Sequence, residues 1–109
     1  MRIDVVGKHM TVTDAIRAHA EEKANKLLKF FDGGVQLITF RLEEGEHRKG
    51  FKVEVVVDVI KHEDFVAHAS ADDLYAALDQ AVDKATRQLT DFKEKLRMGK
   101  RGATPGGGV

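Results

Sequence analysis

The segment from Ser70 to Arg97 constrains the fold most, because its apolar residues recur at alternating steps of four and three. That spacing places them on one face of a long amphipathic helix and predicts that this face is buried against the rest of the protein. The apolar positions are Leu74, Leu78, Val82, Ala85, Leu89, Phe92 and Leu96. Acidic side chains crowd the first half of the segment and basic ones the second, so one end of the helix presents a cationic surface.

The charge of the whole chain hides this asymmetry. Its 18 basic and 18 acidic residues give no net charge, which argues against strong long-range attraction to nucleic acid. Residues 84–109, however, contain seven basic and two acidic side chains, a net charge of +5, so residues 1–83 carry −5. Two interpretations stay open at this point: a solvated helix face that suits the helix dipole, or a cationic binding surface.

Length and composition limit the class of protein. A chain of 109 residues predicts one domain, and the lack of cysteine excludes disulfides and thiolate metal sites. No apolar run approaches the roughly 18 residues that a membrane span needs. The first residues, M-R-I-D-V-V-G, alternate like a strand and lack the core of a signal peptide. We therefore expect a cytoplasmic protein without a membrane partner.

The remaining pattern predicts the other elements. They are a strand at 2–6, a helix from about 14 to 31, and strands at 35–44, 50–60 and 65–69 before the long helix. Thr11 or Thr13 is a candidate cap for the first helix, and Gly33-Gly34 is placed to end it in a left-handed turn. Residues 98–109 are glycine-rich and predicted to be a disordered tail, which leaves 1–97 as the folded domain.

This order of elements predicts a β-α-β-β-β-α two-layer sandwich of the α+β class. The last three strands are expected to form an antiparallel meander, with the first strand at one edge of a four-stranded sheet. Both helices are expected on one face of that sheet, which leaves the other face partly wet.

Chemistry-bearing groups are sparse. The histidines are His9, His19, His47, His62 and His68, and none of them are three or four residues apart, the helical spacing of paired metal ligands. Asp79 and Asp83 lie four apart on the long helix, but the adjacent Lys84 and nearby Arg87 favour charge balance over acid–base catalysis. We therefore predict no enzyme activity, no metal, no cofactor and no small-molecule substrate.

Basic side chains on the two helices are the better candidates. Lys23, Lys26 and Lys29 recur every three residues without an intervening acid in the first helix. In the second helix the shared stripe contains Lys84, Arg87, Gln88 and Lys95, with Lys93 and Arg97 to one side. If both helices lie on one sheet face, the two stripes are predicted to meet as one basic groove suited to phosphate oxygens.

Aromatic residues suggest how RNA would be recognised. The chain has six phenylalanines, one tyrosine and no tryptophan, and most of the phenylalanines are predicted to be buried. Base stacking is therefore only weakly expected, and recognition of the shape and backbone of folded RNA is favoured.

With these residues assigned, the chain resembles the short ribosome hibernation promoting factors, also called ribosome-associated inhibitors, protein Y or sigma-54 modulation proteins. The resemblance lies in the pattern D-x-Y-x-A-[IL]-D, then D-K, R-Q-L and K-x-K in the second helix. Here the pattern is formed by Asp73, Tyr75, Ala77, Leu78, Asp79, Asp83, Lys84, Arg87, Gln88, Leu89, Lys93 and Lys95. The likeness extends over about residues 1–97 and includes T-D-A-I-R at 13–17.

The resemblance implies a fold similar to a double-stranded-RNA-binding domain and a site on the small ribosomal subunit. There, such proteins occupy the decoding channel between head and body, where messenger RNA and transfer RNA bind. By position in the family pattern, the implied contacts to ribosomal RNA are Lys23, Lys26, Lys84, Arg87, Gln88, Lys93 and Lys95. Tyr75 and Asp79 are expected to shape the helix and its neighbours.

The resulting prediction is a ribosome hibernation factor that silences translation in resting or stressed cells and is monomeric off the ribosome. The long members of this family pair ribosomes through a second domain, and this chain is not expected to do so because it stops about a dozen residues after the helix. A general double-stranded-RNA-binding module and a protein-interaction modulator of transcription remain the alternatives.

Overall fold

A computed structural model describes residues 1–31 and 33–100. The elements follow the order β1 (Arg2–Lys8), α1 (Asp14–Phe30), β2 (Val35–Glu44), a 3-10 turn (Glu46–Arg48), β3 (Phe51–Val59), β4 (Phe65–Ala71) and α2 (Leu74–Lys100). The predicted α+β class and element order are confirmed.

The four strands form one sheet in the order β1-β2-β3-β4. β1 pairs with β2 in parallel, because α1 carries the chain back to the starting end of the sheet between them. The pairs β2–β3 and β3–β4 are antiparallel. The predicted meander is therefore present, β1 lies at one edge, and β4 lies at the other.

The core lies between the sheet and the two helices. Alternate residues of β3 point toward the helices and are buried, among them Val53, Val55 and Val57. The helices bury five alanines and five larger aliphatic residues against the sheet and each other: Ala20, Ala24, Leu27, Leu74, Ala77, Leu78, Ala81, Val82, Ala85 and Leu89. Each buried valine or leucine contributes about 1.5–3 kcal/mol relative to exposure. α1 packs on β1 and β2 and α2 on β3 and β4, so the helices lie side by side.

The opposite face of the sheet is open, as predicted. Val6 and Val66 are exposed there. Glu54 accepts hydrogen bonds from Arg41 on β2 and His68 on β4, both at 3.0 Å. These three side chains are thus engaged with one another across β2, β3 and β4.

The start of α1 agrees with the prediction, but its end does not. The hydroxyl of Thr13 accepts from the backbone N–H of Ile16 at 3.2 Å and caps the helix. The helix stops at Phe30 because Phe31 adopts extended backbone, with φ −151°, and buries its ring in the core. The left-handed residue is Gly34, with φ 89°, which leads into β2 instead of ending the helix.

The boundaries of α2 also differ from the prediction. Ser70 and Ala71 extend β4, because the pairing with β3 continues to Ala71 opposite Phe51. The helix begins at Leu74, and the carboxylate of Asp73 accepts from the N–H of Ala76 at 3.1 Å. The C-terminal end runs to Lys100, past the predicted end at Arg97. The rest of the predicted tail lies outside the described residues.

Within residues 1–31 and 33–100, neither helix combines the length and apolarity needed to cross a bilayer.

Candidate nucleic-acid interface

A groove runs between α1 and α2 on the side of the helical layer that faces away from the sheet. We call it the interhelical groove. It is lined by Lys23, Lys26, Leu27, Phe30, Val82, Asp83, Thr86, Arg87 and Thr90. Three cationic side chains and one anionic side chain therefore share this surface, and the buried Leu27 and Val82 form its floor.

The α1 wall follows from helical spacing. Lys23, Lys26 and Phe30 are separated by three and four residues, so they form one stripe along the helix. The stripe lies beside the buried one that contains Ala24 and Leu27. The packing of that apolar stripe against the sheet and α2 fixes how the lysines are presented to the groove.

The α2 wall combines Arg87 with two threonines. The hydroxyl of Thr86 donates to the carbonyl of Val82 and that of Thr90 to the carbonyl of Thr86, both at 2.8 Å. Their hydroxyl protons are therefore used within the helix. Arg87, Lys23 and Lys26 are left as the cationic donors of the groove, and phosphate oxygens are the natural acceptors for such groups.

One end of the groove is held by a polar cluster that joins the two helices. Nε2 of His19 donates to Oδ1 of Asp79 at 2.8 Å, and Nζ of Lys23 lies 3.3 Å from the same oxygen. The Tyr75 ring meets the His19 ring edge-on, with centroids 4.8 Å apart. Tyr75 and Asp79 thus contact α1, and the cluster fixes the position of Lys23.

The pKa of Asp79 reflects these contacts. Partial burial acts to raise this pKa, but the hydrogen bonds and charges of His19 and Lys23 together outweigh it. The net result is a pKa below the ordinary value, so Asp79 stays ionised and keeps its hold on α1 over a wide pH range.

Lys84 and Gln88 lie on the other flank of α2. Nζ of Lys84 donates to the carbonyl of His68, and Nε2 of Gln88 donates to the carbonyl of Val66, both at 2.9 Å. These carbonyls belong to β4, which is an edge strand of the sheet formed by the described residues. The prediction that both helical stripes meet as one groove is therefore wrong in part, because α2 turns these two residues toward the sheet edge.

Lys93 and Lys95 extend the cationic surface beyond the groove. Lys93 lies two turns after Thr86 and Lys95 three turns after Lys84, and both are exposed. Neither lines the interhelical groove, since α1 ends near the contact between Phe31 and Phe92, whose ring centroids are 5.9 Å apart. Of the seven predicted contacts, the groove brings together Lys23, Lys26 and Arg87.

Sequence reasoning missed Phe30. This residue is 60% exposed and lines the groove, whereas most phenylalanines were expected to be buried. The available signal was its spacing: Phe30 continues the Lys23–Lys26 stripe, while Phe31 continues the buried one. Similarly, nothing in the spacing along one helix pairs His19 with Asp79, because that contact depends on how the two helices pack.

The described part of the chain contains no cluster of three or more histidine, aspartate or glutamate side chains arranged to hold a metal ion. Asp79 and Asp83, four residues apart, have separate surroundings: the first pairs with α1 and the second lines the groove.

The fold and this groove together define a small α+β domain. Its cationic surface is formed by two helices that lie side by side on one face of the sheet. Comparison with known proteins gives its family. The chain belongs to the family described as "Sigma 54 modulation protein / S30EA ribosomal protein", which matches residues 3–97. The family prediction made from the α2 pattern is thereby confirmed.

Relatives with known names support the same family. The chain is 33% identical over 105 residues to the ribosome hibernation promoting factor of Azotobacter vinelandii, covering 96% of this chain and 94% of that protein. It is 33% identical over 100 residues to the factor of Escherichia coli strain K12, covering 89% of this chain and 98% of that one. The ribosome hibernation promotion factor of Lactococcus lactis is 31% identical over 109 residues, and the chain spans 58% of its length.

Solved structures show the same fold. The Protein Y N-terminal domain of Thermus thermophilus superposes with a TM-score of 0.74 at 30% identity, covering 84% of this chain and 99% of that domain. A ribosomal subunit interface protein from Coxiella burnetii superposes with a TM-score of 0.77 at 22% identity, covering 86% and 99%, and shares the fold.

Proposed function

We propose that this protein is a ribosome hibernation factor that binds the small ribosomal subunit in the decoding channel and blocks messenger RNA and transfer RNA. The observation that carries the proposal is the convergence of Lys23 and Lys26 from α1 with Arg87 from α2 in one groove. Membership of the family and the names of the relatives support ribosome hibernation over a general duplex-binding or transcriptional role.

The mechanism needs no turnover. Lys and Arg side chains on phosphate oxygens release counterions, so binding is favoured electrostatically and weakens steeply with salt. A protein seated in the channel excludes message and transfer RNA by mass action, and the ribosome is silent for as long as the site is occupied. In this proposal the protein is a monomer off the ribosome and acts in the cytoplasm of resting or stressed cells.

The seven predicted contacts take different parts in the proposal. Lys26 and Arg87 are the primary phosphate contacts, because they share the groove and take part in none of the ion pairs found in the described residues; Lys23 shares the groove but is also paired with Asp79. Lys93 and Lys95 extend the cationic surface along α2. Lys84 and Gln88 contribute less, since their polar ends are bound to β4 carbonyls.

The test is co-sedimentation of the purified protein with isolated small subunits over a salt series, with and without bound messenger and transfer RNA. We expect binding that message and transfer RNA prevent. Reversal of the groove charges in the double variant Lys26→Glu/Arg87→Glu should weaken binding by about a hundredfold or more, since each lost phosphate contact costs about 1.5–3 kcal/mol.

A matched control reverses the same charge elsewhere. The double variant Lys49→Glu/Lys52→Glu changes two exposed lysines at the β2–β3 end of the molecule, outside the groove. It should bind within about threefold of wild type, because distant exposed charges are largely screened. Equal losses in both double variants would refute the groove as the site. Equal affinity for a plain RNA duplex at the same salt would favour the general duplex-binding alternative.

A further inference from the structure

Phe30 is a large apolar residue that lines the groove and is nevertheless exposed to solvent. Phe30 is 60% exposed as a whole residue and stands at the end of α1, whereas the next residue, Phe31, is buried in the core. A single exposed apolar residue is common on protein surfaces and by itself indicates nothing. Phe30, however, lies in a groove that also contains Lys23, Lys26 and Arg87.

This combination of groups suits unpaired RNA. Cationic side chains hold the phosphates of a strand, while an aromatic ring offers a flat apolar face on which a base stacks. The α2 wall of the groove is compatible with a stacked base. The hydroxyls of Thr86 and Thr90 donate to carbonyls within α2, so their protons do not need a hydrogen-bond acceptor in the groove. A duplex would present phosphates, 2′-hydroxyls and base edges to the groove, but its base faces are stacked inside the helix and could not lie on the ring.

We propose that Phe30 is a stacking platform for an unpaired nucleobase of the RNA whose phosphates contact Lys26 and Arg87. This inference rests on the proposed function and adds to it a non-electrostatic contact at a defined residue. The groove would then select RNA with at least one base free of pairing, a distinction that charge alone does not make.

The first test compares substitutions at position 30 in binding to isolated small subunits. Phe30→Ala should bind at least about fivefold more weakly, the lower end of what loss of one stacked base costs. Phe30→Leu keeps apolar area without an aromatic face and should be weakened similarly, whereas Phe30→Tyr should bind like wild type. Because Phe30 is exposed, these changes should leave the fold intact.

The salt dependence separates stacking from charge. Phe30→Ala should lower log K by the same amount at every salt concentration, because no counterion is released by a phenylalanine. Lys26→Met should instead reduce the slope of log K against log salt by roughly 0.7–0.9, the change for one phosphate contact.

Fluorescence gives an independent readout, since the chain contains no tryptophan. In Phe30→Trp, stacking of a base on the indole should quench emission when small subunits are added. The control is Val6→Trp, at an exposed position on the open face of the sheet, where emission should stay constant.

The outcomes are distinct. Binding of Phe30→Ala within about twofold of wild type, wild-type binding by Phe30→Leu, or equal quenching at positions 6 and 30 would overturn the stacking site. If Lys26→Glu/Arg87→Glu still weakens binding in that case, the proposed function stands. If that double variant binds like wild type, both the groove and the stacking site are refuted.

Discussion

The two flanks of α2 carry similar side chains in different surroundings. On the groove flank, Arg87 and Thr90 face α1 across an open groove that also contains Lys23 and Lys26. On the strand flank, Lys84 and Gln88 reach the carbonyls of His68 and Val66 on the edge strand β4. Arg87 is only three residues from Lys84, yet the rotation of the helix gives the two cations different neighbours.

The difference shows that a basic residue on a helix is a binding candidate only once its neighbours are known. A lysine ammonium has three donors, and Lys84 commits one of them to a backbone carbonyl. The same contact covers part of the unpaired edge of β4, a place where sheets are prone to pair with another chain. In the proposed function the groove flank binds RNA, while the strand flank contacts the backbone of β4 and supports the edge of the sheet.

The largest expected effect is a difference in affinity for small subunits between variants on the two flanks. Arg87→Glu should weaken binding to small subunits by about tenfold or more, because it replaces a phosphate contact with a repulsive charge. Lys84→Glu makes the same change of charge on the strand flank and should weaken binding by less than about threefold. Equal losses in a co-sedimentation titration at matched salt would show that both flanks face RNA and would remove the distinction.

The next largest effect is a difference in the free energy of unfolding between variants on the two flanks. Lys84→Met/Gln88→Met removes two side chain–backbone hydrogen bonds at the edge of β4 and should lower the free energy of unfolding by about 1–2 kcal/mol. Thermal unfolding should show this as a fall in Tm of about 4–8 °C per kcal/mol. The exposed edge should also increase self-association, which can be measured by sedimentation velocity.

The control for stability is Arg87→Met on the groove flank. Its side chain makes none of the hydrogen bonds found in the described residues, so Tm should change by less than the equivalent of about 0.5 kcal/mol. A double variant on the strand flank that unfolds at the wild-type temperature would mean that the bonds to β4 contribute nothing to the folded state.

The sequence predicted the fold well because the fold depends on periodicity. Alternation placed Val53, Val55 and Val57 on the buried face of β3, and steps of three and four placed Leu78 and Leu89 on the buried face of α2. The start of α2 was predicted too early. Strand pairing, a long-range interaction, kept Ser70 and Ala71 in β4 until the cap at Asp73.

The candidate site was predicted only in part, for a physical reason. The pattern identified which residues of α2 are polar, but it carried no information on which flank would meet α1 and which would meet β4. Lys84 and Gln88 were therefore grouped with Arg87, although the packing of α2 over β3 and β4 turns them to the sheet edge. Phe30 was missed because phenylalanines were expected to be buried in general. Neighbouring residues of a helix point in different directions, so Phe31 is buried in the core and Phe30 is exposed.

The smallest expected effect concerns the end of the groove where Asp79 joins the helices. Asp79→Asn removes the carboxylate that accepts from His19 and Lys23 and should lower the free energy of unfolding at neutral pH by about 0.5 kcal/mol, a small value because the pair is partly exposed to solvent. The pKa of Asp79 is lower in the folded protein than its ordinary value, so this contribution is present above about pH 4 and is lost as pH falls through the folded pKa. The stability difference between wild type and Asp79→Asn should therefore shrink toward zero in acid, as measured by urea unfolding at a series of pH values.

Asp83→Asn is the matched control, because Asp83 lies one turn away in the groove and makes none of the ion pairs found in the described residues. It should show no such loss at neutral pH, and a pH-independent difference for Asp79→Asn would mean that its hold on α1 does not depend on the charge of the carboxylate.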